Sequence, residues 1–160
     1  MLLVIQEFIF RPANENDTDL VLFQNKPFDG HGCWSKVGRQ GGTQKIQLSD
    51  VRCYTKAKIA HEIYHSIGFY HEHSRTDRDS YVKVNYNCIR NDLKPNFYVQ
   101  PKTETYGLPY DGKSIMHYRS NQGSTDVESC KTITSKVGVS NIQAKQLYSK
   151  WYFLDARCGR

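Results

Sequence analysis

Several things are missing from this chain of 160 residues, and each absence narrows what it does. No apolar run approaches the ~20 residues needed to cross a bilayer, so a membrane span is not expected. Basic residues outnumber acidic ones, for a net charge of +6, but they are scattered and form no Lys/Arg-rich block. A nucleic-acid partner therefore has no motif behind it. There is no internal repeat, low-complexity segment or linker, and the length suits one domain with one core. The opening residues, Met1-Leu2-Leu3-Val4-Ile5-Gln6-Glu7-Phe8, lack a basic stretch and a small-residue cleavage site, so they make a poor signal peptide. Charged residues make up 24% and hydrophobic ones 38%, the balance of a soluble globular domain rather than a disordered one. The cysteines are odd in number. There are five, so at least one thiol is left over or bonds outside the chain.

What is present is concentrated between residues 61 and 71, which read His61-Glu62-Ile63-Tyr64-His65-Ser66-Ile67-Gly68-Phe69-Tyr70-His71. Two histidines four apart stand on one face of a helix and can offer imidazole nitrogens to one metal. Gly68 can take a positive φ, end the helix and let the chain return His71 to the same ion. Three neutral imidazoles hold zinc without cancelling its charge and leave a fourth position open, the catalytic arrangement of that metal. One zinc ion is the expected cofactor. Glu62, beside His61, can take a proton from zinc-bound water without ligating the metal. Two histidines alone could serve packing in a buried helix; the extension to His71 favours the metal site over that bland reading.

The residues that follow sharpen the assignment. His71-Glu72-His73-Ser74-Arg75-Thr76-Asp77-Arg78-Asp79-Ser80-Tyr81-Val82 and Ser114-Ile115-Met116-His117-Tyr118 resemble the astacin family of metzincin endopeptidases, as do Gly32-Cys33-Trp34-Ser35 and Val37-Gly38-Arg39. The resemblance runs from about Phe10 to the end and loosens after Ser120. It implies that His61, His65 and His71 bind zinc and that Glu62 is general base and acid. It implies that Met116 floors the site and that Tyr118 is a further zinc ligand able to swing away and stabilise the tetrahedral intermediate. The glutamate matching Glu72 contacts the amino terminus freed on propeptide removal. Cys33 and Cys53 match a family disulfide. Cys158 matches one end of a second, whose other end falls near Glu7–Pro12, where there is no cysteine. Cys88 and Cys130 are extra to the family and are open to pairing with each other.

The fold implied is α+β: a zincin/metzincin-like two-part catalytic domain, with an active-site helix under a small twisted sheet and a loop-rich lower part. The whole chain, 1–160, reads as one astacin-like peptidase domain, incomplete at its amino end, with an upper part of about 1–71 and a lower part of about 72–160. Leu20–Phe23 and Lys45–Leu48 read as strands, and in the family the second of these is the edge along which substrate lies extended. Turns fall at Asp29–Gly32 and Gly41–Gly42. Lys56–Ile67 reads as the active-site helix, with Ile59, Ala60, Ile63 and Ile67 as its apolar side. Tyr81–Val84 reads as a short extended piece, and Asn141–Trp151 as a final helix. The segment Met1–Phe10 is expected to be a core strand or the end of a shortened helix. Ser120–Asn141 is shorter than the family pattern that shapes one side of the cleft. His31, His73 and His117 are read as structural or solvated, with His73 in a charged loop. Arg75, Asp77, Arg78 and Asp79 alternate in sign, which favours local ion pairs.

The function expected is that of a secreted zinc endopeptidase acting on a protein or peptide substrate, in which Glu62 assists attack of zinc-bound water on an extended polypeptide. The alternatives are a truncated zinc-binding pseudoenzyme or interaction module, and a purely structural zinc site. Oligomeric state is not legible in the sequence.

Overall fold

The computed structural model describes residues 10–25 and 32–136. The expected helix at Asn141–Trp151, His31, most of the turn at Asp29–Gly32, Cys158 and nearly all of Met1–Phe10 lie outside the described residues. The described residues contain six regular elements: β1 (Leu20–Gln24), β2 (Cys33–Ser35), β3 (Thr43–Leu48), α1 (Lys56–Ser66), β4 (Val82–Val84) and β5 (Ile133–Ser135). Short 3-10 turns fill much of the chain between α1 and β5, including Glu72–Ser74, Arg78–Ser80, Tyr86–Cys88 and Asn91–Phe97. The mixture is α+β.

The first sheet has the order β1-β3-β2. β1 runs parallel to β3, with Leu20 opposite Thr43, and β2 runs antiparallel to it, with Cys33 opposite Leu48. This corrects the expectation that the strand at Lys45–Leu48 is an edge. β3 is the central strand, hydrogen-bonded on both sides, and its burial shows it: Ile46 is fully buried and Leu48 nearly so. β2 occupies the side of β3 that an edge strand would leave free. Its three residues were too few to announce a strand by alternation.

Residues of β3 and α1 build one core. Ile46, Leu48 and Cys53 are buried together, and Cys33, Ile59 and Ile63 pack against them. Ile59 and Ile63 stand one turn apart, so the expected apolar side of α1 is the one that meets the sheet. The Cys33–Cys53 disulfide joins β2 to the 3-10 turn before the helix, with Cα atoms 5.6 Å apart. Thr55 caps α1, its hydroxyl accepting from the Lys58 amide at 3.3 Å. A second core lies beyond the helix. Val82, Ile89, Phe97 and Ile133 are buried, with Tyr81, Leu93, Tyr110 and Tyr118 around them. β4 and β5 pair antiparallel beside it, and the Cys88–Cys130 disulfide adds a covalent link in the same part of the chain. The two extra cysteines therefore pair with each other.

Candidate active site

The end of α1 sets up the site. Gly68 has φ 111°, in the region that favours glycine. Its amide donates to the His65 carbonyl at 2.9 Å, and the Phe69 amide donates to Tyr64 O at 3.0 Å. This pair of bonds is a Schellman cap, which satisfies the last carbonyls and turns the chain sharply off the helix axis. The turn returns His71 to the face carrying His61 and His65. The returning segment is then anchored by the Glu72 amide, which donates to Met116 O at 3.0 Å. Met116, nearly buried, thus sits in the turn that braces the third histidine.

The three imidazoles converge. His71 Nε2 lies 3.2 Å from His65 Nε2 and 3.3 Å from His61 Nε2, and a potential ligand atom from each histidine falls within 4.8 Å of the other two. Nitrogens at two corners of a tetrahedron of radius 2.0–2.1 Å stand about 3.3 Å apart, so this spacing suits a four-coordinate zinc. The far sides of two rings are fixed by backbone. His61 Nδ1–H donates to Ile115 O at 2.9 Å, and His65 Nδ1–H donates to Phe69 O at 2.8 Å. Each bond places the proton on Nδ1 and leaves the Nε2 lone pair for the metal. Burial holds all three histidines below their ordinary pKa, His65 to about 4, so they are neutral at physiological pH. Neutral nitrogen donors at tetrahedral spacing are what zinc requires, and the residues present fit the ion.

Glu62 is buried, and its Oε2 has no hydrogen-bond partner among the described residues. Burial raises its carboxyl to about 7, against the opposing pull of Lys58. An orphaned carboxylate oxygen is unfavourable in a core, but it is the arrangement expected of a base waiting for a proton. Tyr118 packs its ring 4.5 Å from that of His71. Burial, and then the charge of Glu62, push its phenol up to about 12. The five residues singled out in the sequence therefore come together: His61, His65 and His71 as a cluster, Glu62 next to His61 on α1, and Tyr118 against His71.

Of the two readings left open for His73 and His117, structural or solvated, both prove structural. His73 is completely buried, stacked on Tyr118 with ring centroids 4.2 Å apart. His117 is also buried. Its Nδ1–H donates to Tyr118 O at 2.6 Å, so its Nε2 accepts from the Tyr110 hydroxyl at 2.5 Å. The alternating charges do form local pairs. Arg75 grips Asp77 and Glu72, and Arg78 pairs with Asp79. Arg75 also donates to the carbonyls of Leu108 and Pro109, and Glu72 accepts from the Asp111 amide at 2.9 Å. This charged knot ties the loop before the methionine turn to the segment carrying His71.

Comparison with known proteins bears on this geometry. The family model for astacin, a peptidase family, matches residues 7–150. The zinc metalloproteinase nas-14 of Caenorhabditis elegans is 42% identical over 111 residues, covering 68% of this chain and 22% of the relative. The alpha subunit of meprin A from Mus musculus is 39% identical over 140 residues, covering 86% of this chain and 18% of the relative. The chain thus spans about a fifth of the length of these curated relatives. Among solved structures, high choriolytic enzyme 1, a hatching-enzyme zinc protease from Oryzias latipes, superposes with a TM-score of 0.73 at 34% identity, covering 82% of this chain and 62% of that one.

Proposed function

Because the chain belongs to the astacin family and has its α+β metzincin fold, we propose that it is a zinc-dependent endopeptidase hydrolysing internal bonds of extended polypeptides. The observation that carries this reading is the convergence of three neutral imidazole nitrogens beside a buried carboxylate oxygen that has no partner among the described residues. His61, His65 and His71 would hold the ion. Zinc, when bound, makes a water molecule acidic enough to ionise near pH 7 and polarises the carbonyl to be attacked.

The chain's own groups do the rest. Glu62, with a carboxyl raised to about 7, accepts the water's proton and hands it to the leaving amine, since a base works best when its pKa lies near the working pH. Tyr118 keeps its phenolic proton at neutral pH and donates it as a hydrogen bond to the oxygen that gains charge. Met116 acts through packing alone. β2 rather than β3 offers the outer edge of the sheet. A peptide laid along Cys33–Ser35 would add a strand through backbone bonds, which is why an extended substrate suits the site. We divide the peptidase domain near residue 71, with α1 and the sheet above the cleft and the 3-10 segments with the β4–β5 pair below it.

Two disulfides in this small domain favour an oxidising compartment, and we place the protein outside the cell. No helix among the described residues is long and apolar enough to cross a membrane.

The test is cleavage of a denatured protein by the zinc-loaded chain, with the new termini mapped by mass spectrometry. Internal cuts that vanish on chelation and return with zinc are expected. Trimming from the ends alone, or cleavage indifferent to chelator, would refute the proposal.

A further inference from the structure

We propose that His73 is a positioning residue for Tyr118, holding the phenol in register with the three-histidine cluster; this rests on the reading of Tyr118 as the donor to the developing oxyanion. Tyr118 is located by ring packing. Its neighbours are His73 at 4.2 Å, His71 at 4.5 Å and Phe97 at 5.3 Å, centroid to centroid. His73 is the nearest and the most nearly parallel, inclined by 30°. It also stacks on His71, at 5.2 Å and 24°. One buried plane therefore touches both a metal-cluster ring and the tyrosine that must stand beside it.

That plane is itself pinned. His73 Nε2–H donates to Asn96 O at 3.1 Å, a carbonyl of the 3-10 segment Asn91–Phe97. Its Nδ1 is buried and has no partner among the described residues. A phenylalanine would fill a similar volume without an orphaned nitrogen. What histidine adds is the bond to Asn96 O, which fixes the tilt of the plane. The shelf under Tyr118 is thereby keyed to a segment 23 residues along the chain, not to the flexible end of its own side chain.

The test is a double-mutant cycle on the zinc-loaded chain with a fluorogenic peptide, measuring kcat and KM separately. The variants are His73→Ala, Tyr118→Phe and the pair, with His73→Gln and His73→Phe alongside. Losing the stack should lower kcat by roughly 2- to 10-fold, the range an aromatic pair spans, with KM little changed. In the Tyr118→Phe background the same substitution should cost nothing further, because contacting residues that act as a unit do not add. His73→Gln, planar and able to donate to Asn96 O, should retain more activity than His73→Phe. Zinc affinity, measured by chelator competition, should match the parent in every variant.

A loss that adds in full to that of Tyr118→Phe overturns the proposal. So does a fall in zinc affinity that tracks kcat, since His73 would then act through His71. If His73→Ala does not fold, a His73→Phe variant as active as the parent is equally fatal. A Tyr118→Phe chain with parental kcat sinks the reading of Tyr118 and the proposal with it. One that loses kcat while His73→Ala leaves the parental rate unchanged sinks the proposal alone.

Discussion

Replacing Gly68 by alanine isolates the turn on which the three-histidine cluster depends. At φ 111° an added Cβ would meet nothing within 4 Å, so the penalty is backbone strain rather than collision. Holding a non-glycine residue in such a region costs on the order of 1–3 kcal/mol. For a domain of this size that corresponds to a fall in Tm of roughly 2–12 °C. The chain can relieve the strain by rotating Gly68 towards negative φ. That would break the amide bonds to the His65 and Tyr64 carbonyls and swing His71 away from His61 and His65. Either route carries a penalty: the strain persists in the folded chain, or the third ligand is mispositioned. Thermal melts of the metal-free chain and chelator competition for zinc measure the two effects. Both should worsen in Gly68→Ala, with zinc affinity down about tenfold for each ~1.4 kcal/mol lost from the bound geometry. A variant with unchanged Tm and unchanged zinc affinity would refute the argument that the glycine cap delivers the third histidine.

Other outcomes follow from the same structure. Serine at both Cys88 and Cys130 opens a 42-residue link, which the chain-entropy account values at about 4 kcal/mol, against about 3 for the 20-residue link Cys33–Cys53; denaturant melts should show the larger loss for the first pair, and equal or reversed losses would contradict it. Asp17, held down to about 2 by Arg11, and Asp50, held to about 2 by Arg52, ionise more readily in the folded chain than at the ordinary value of 3.8. Depressed carboxylates stabilise above their unfolded pKa and lose that effect as pH falls through the folded one. Stability should therefore decline between pH 3.8 and about 2, and Asp50→Asn should flatten the decline; a slope identical to the parent's would refute the assignment. Phe97→Ala empties a fully buried site beside Tyr118 and should cost about 3–5 kcal/mol, read by urea unfolding, whereas a loss below about 1 kcal/mol would mean the second core does not depend on it.

Local signals in the sequence were enough for α1, because helix period and Gly68 stop lie in one short stretch of chain. The convergence of the three histidines was legible for the same reason: His61 and His65 share a helix face, and His71 follows just past the turn. The position of β3 was not, since whether a strand is central depends on partners elsewhere; Cys33–Ser35 and Ile133–Ser135 are too short to show a period. For His73 two readings stayed open, structural or solvated, because its neighbours in sequence are charged. Its burial comes from Phe97 and Tyr118, which lie 24 and 45 positions away and become neighbours only in the folded chain. The Cys88–Cys130 pairing is likewise non-local, and counting cysteines left it open. Glu72 shows the converse case: its type was conspicuous, but its partners, Arg75 and the Asp111 amide, depend on how the loop before Met116 folds back.

The most direct measurement compares the parent chain with Glu62→Gln, both confirmed to hold one zinc ion, in cleavage of the same internally quenched peptide at neutral pH. As proposed above, His61, His65 and His71 hold the zinc and Glu62 transfers the proton. Equal metal content and a rate lowered by roughly 10²–10⁴-fold in the variant are therefore expected. A Glu62→Gln chain that binds zinc and cleaves at the parental rate would contradict the central claim.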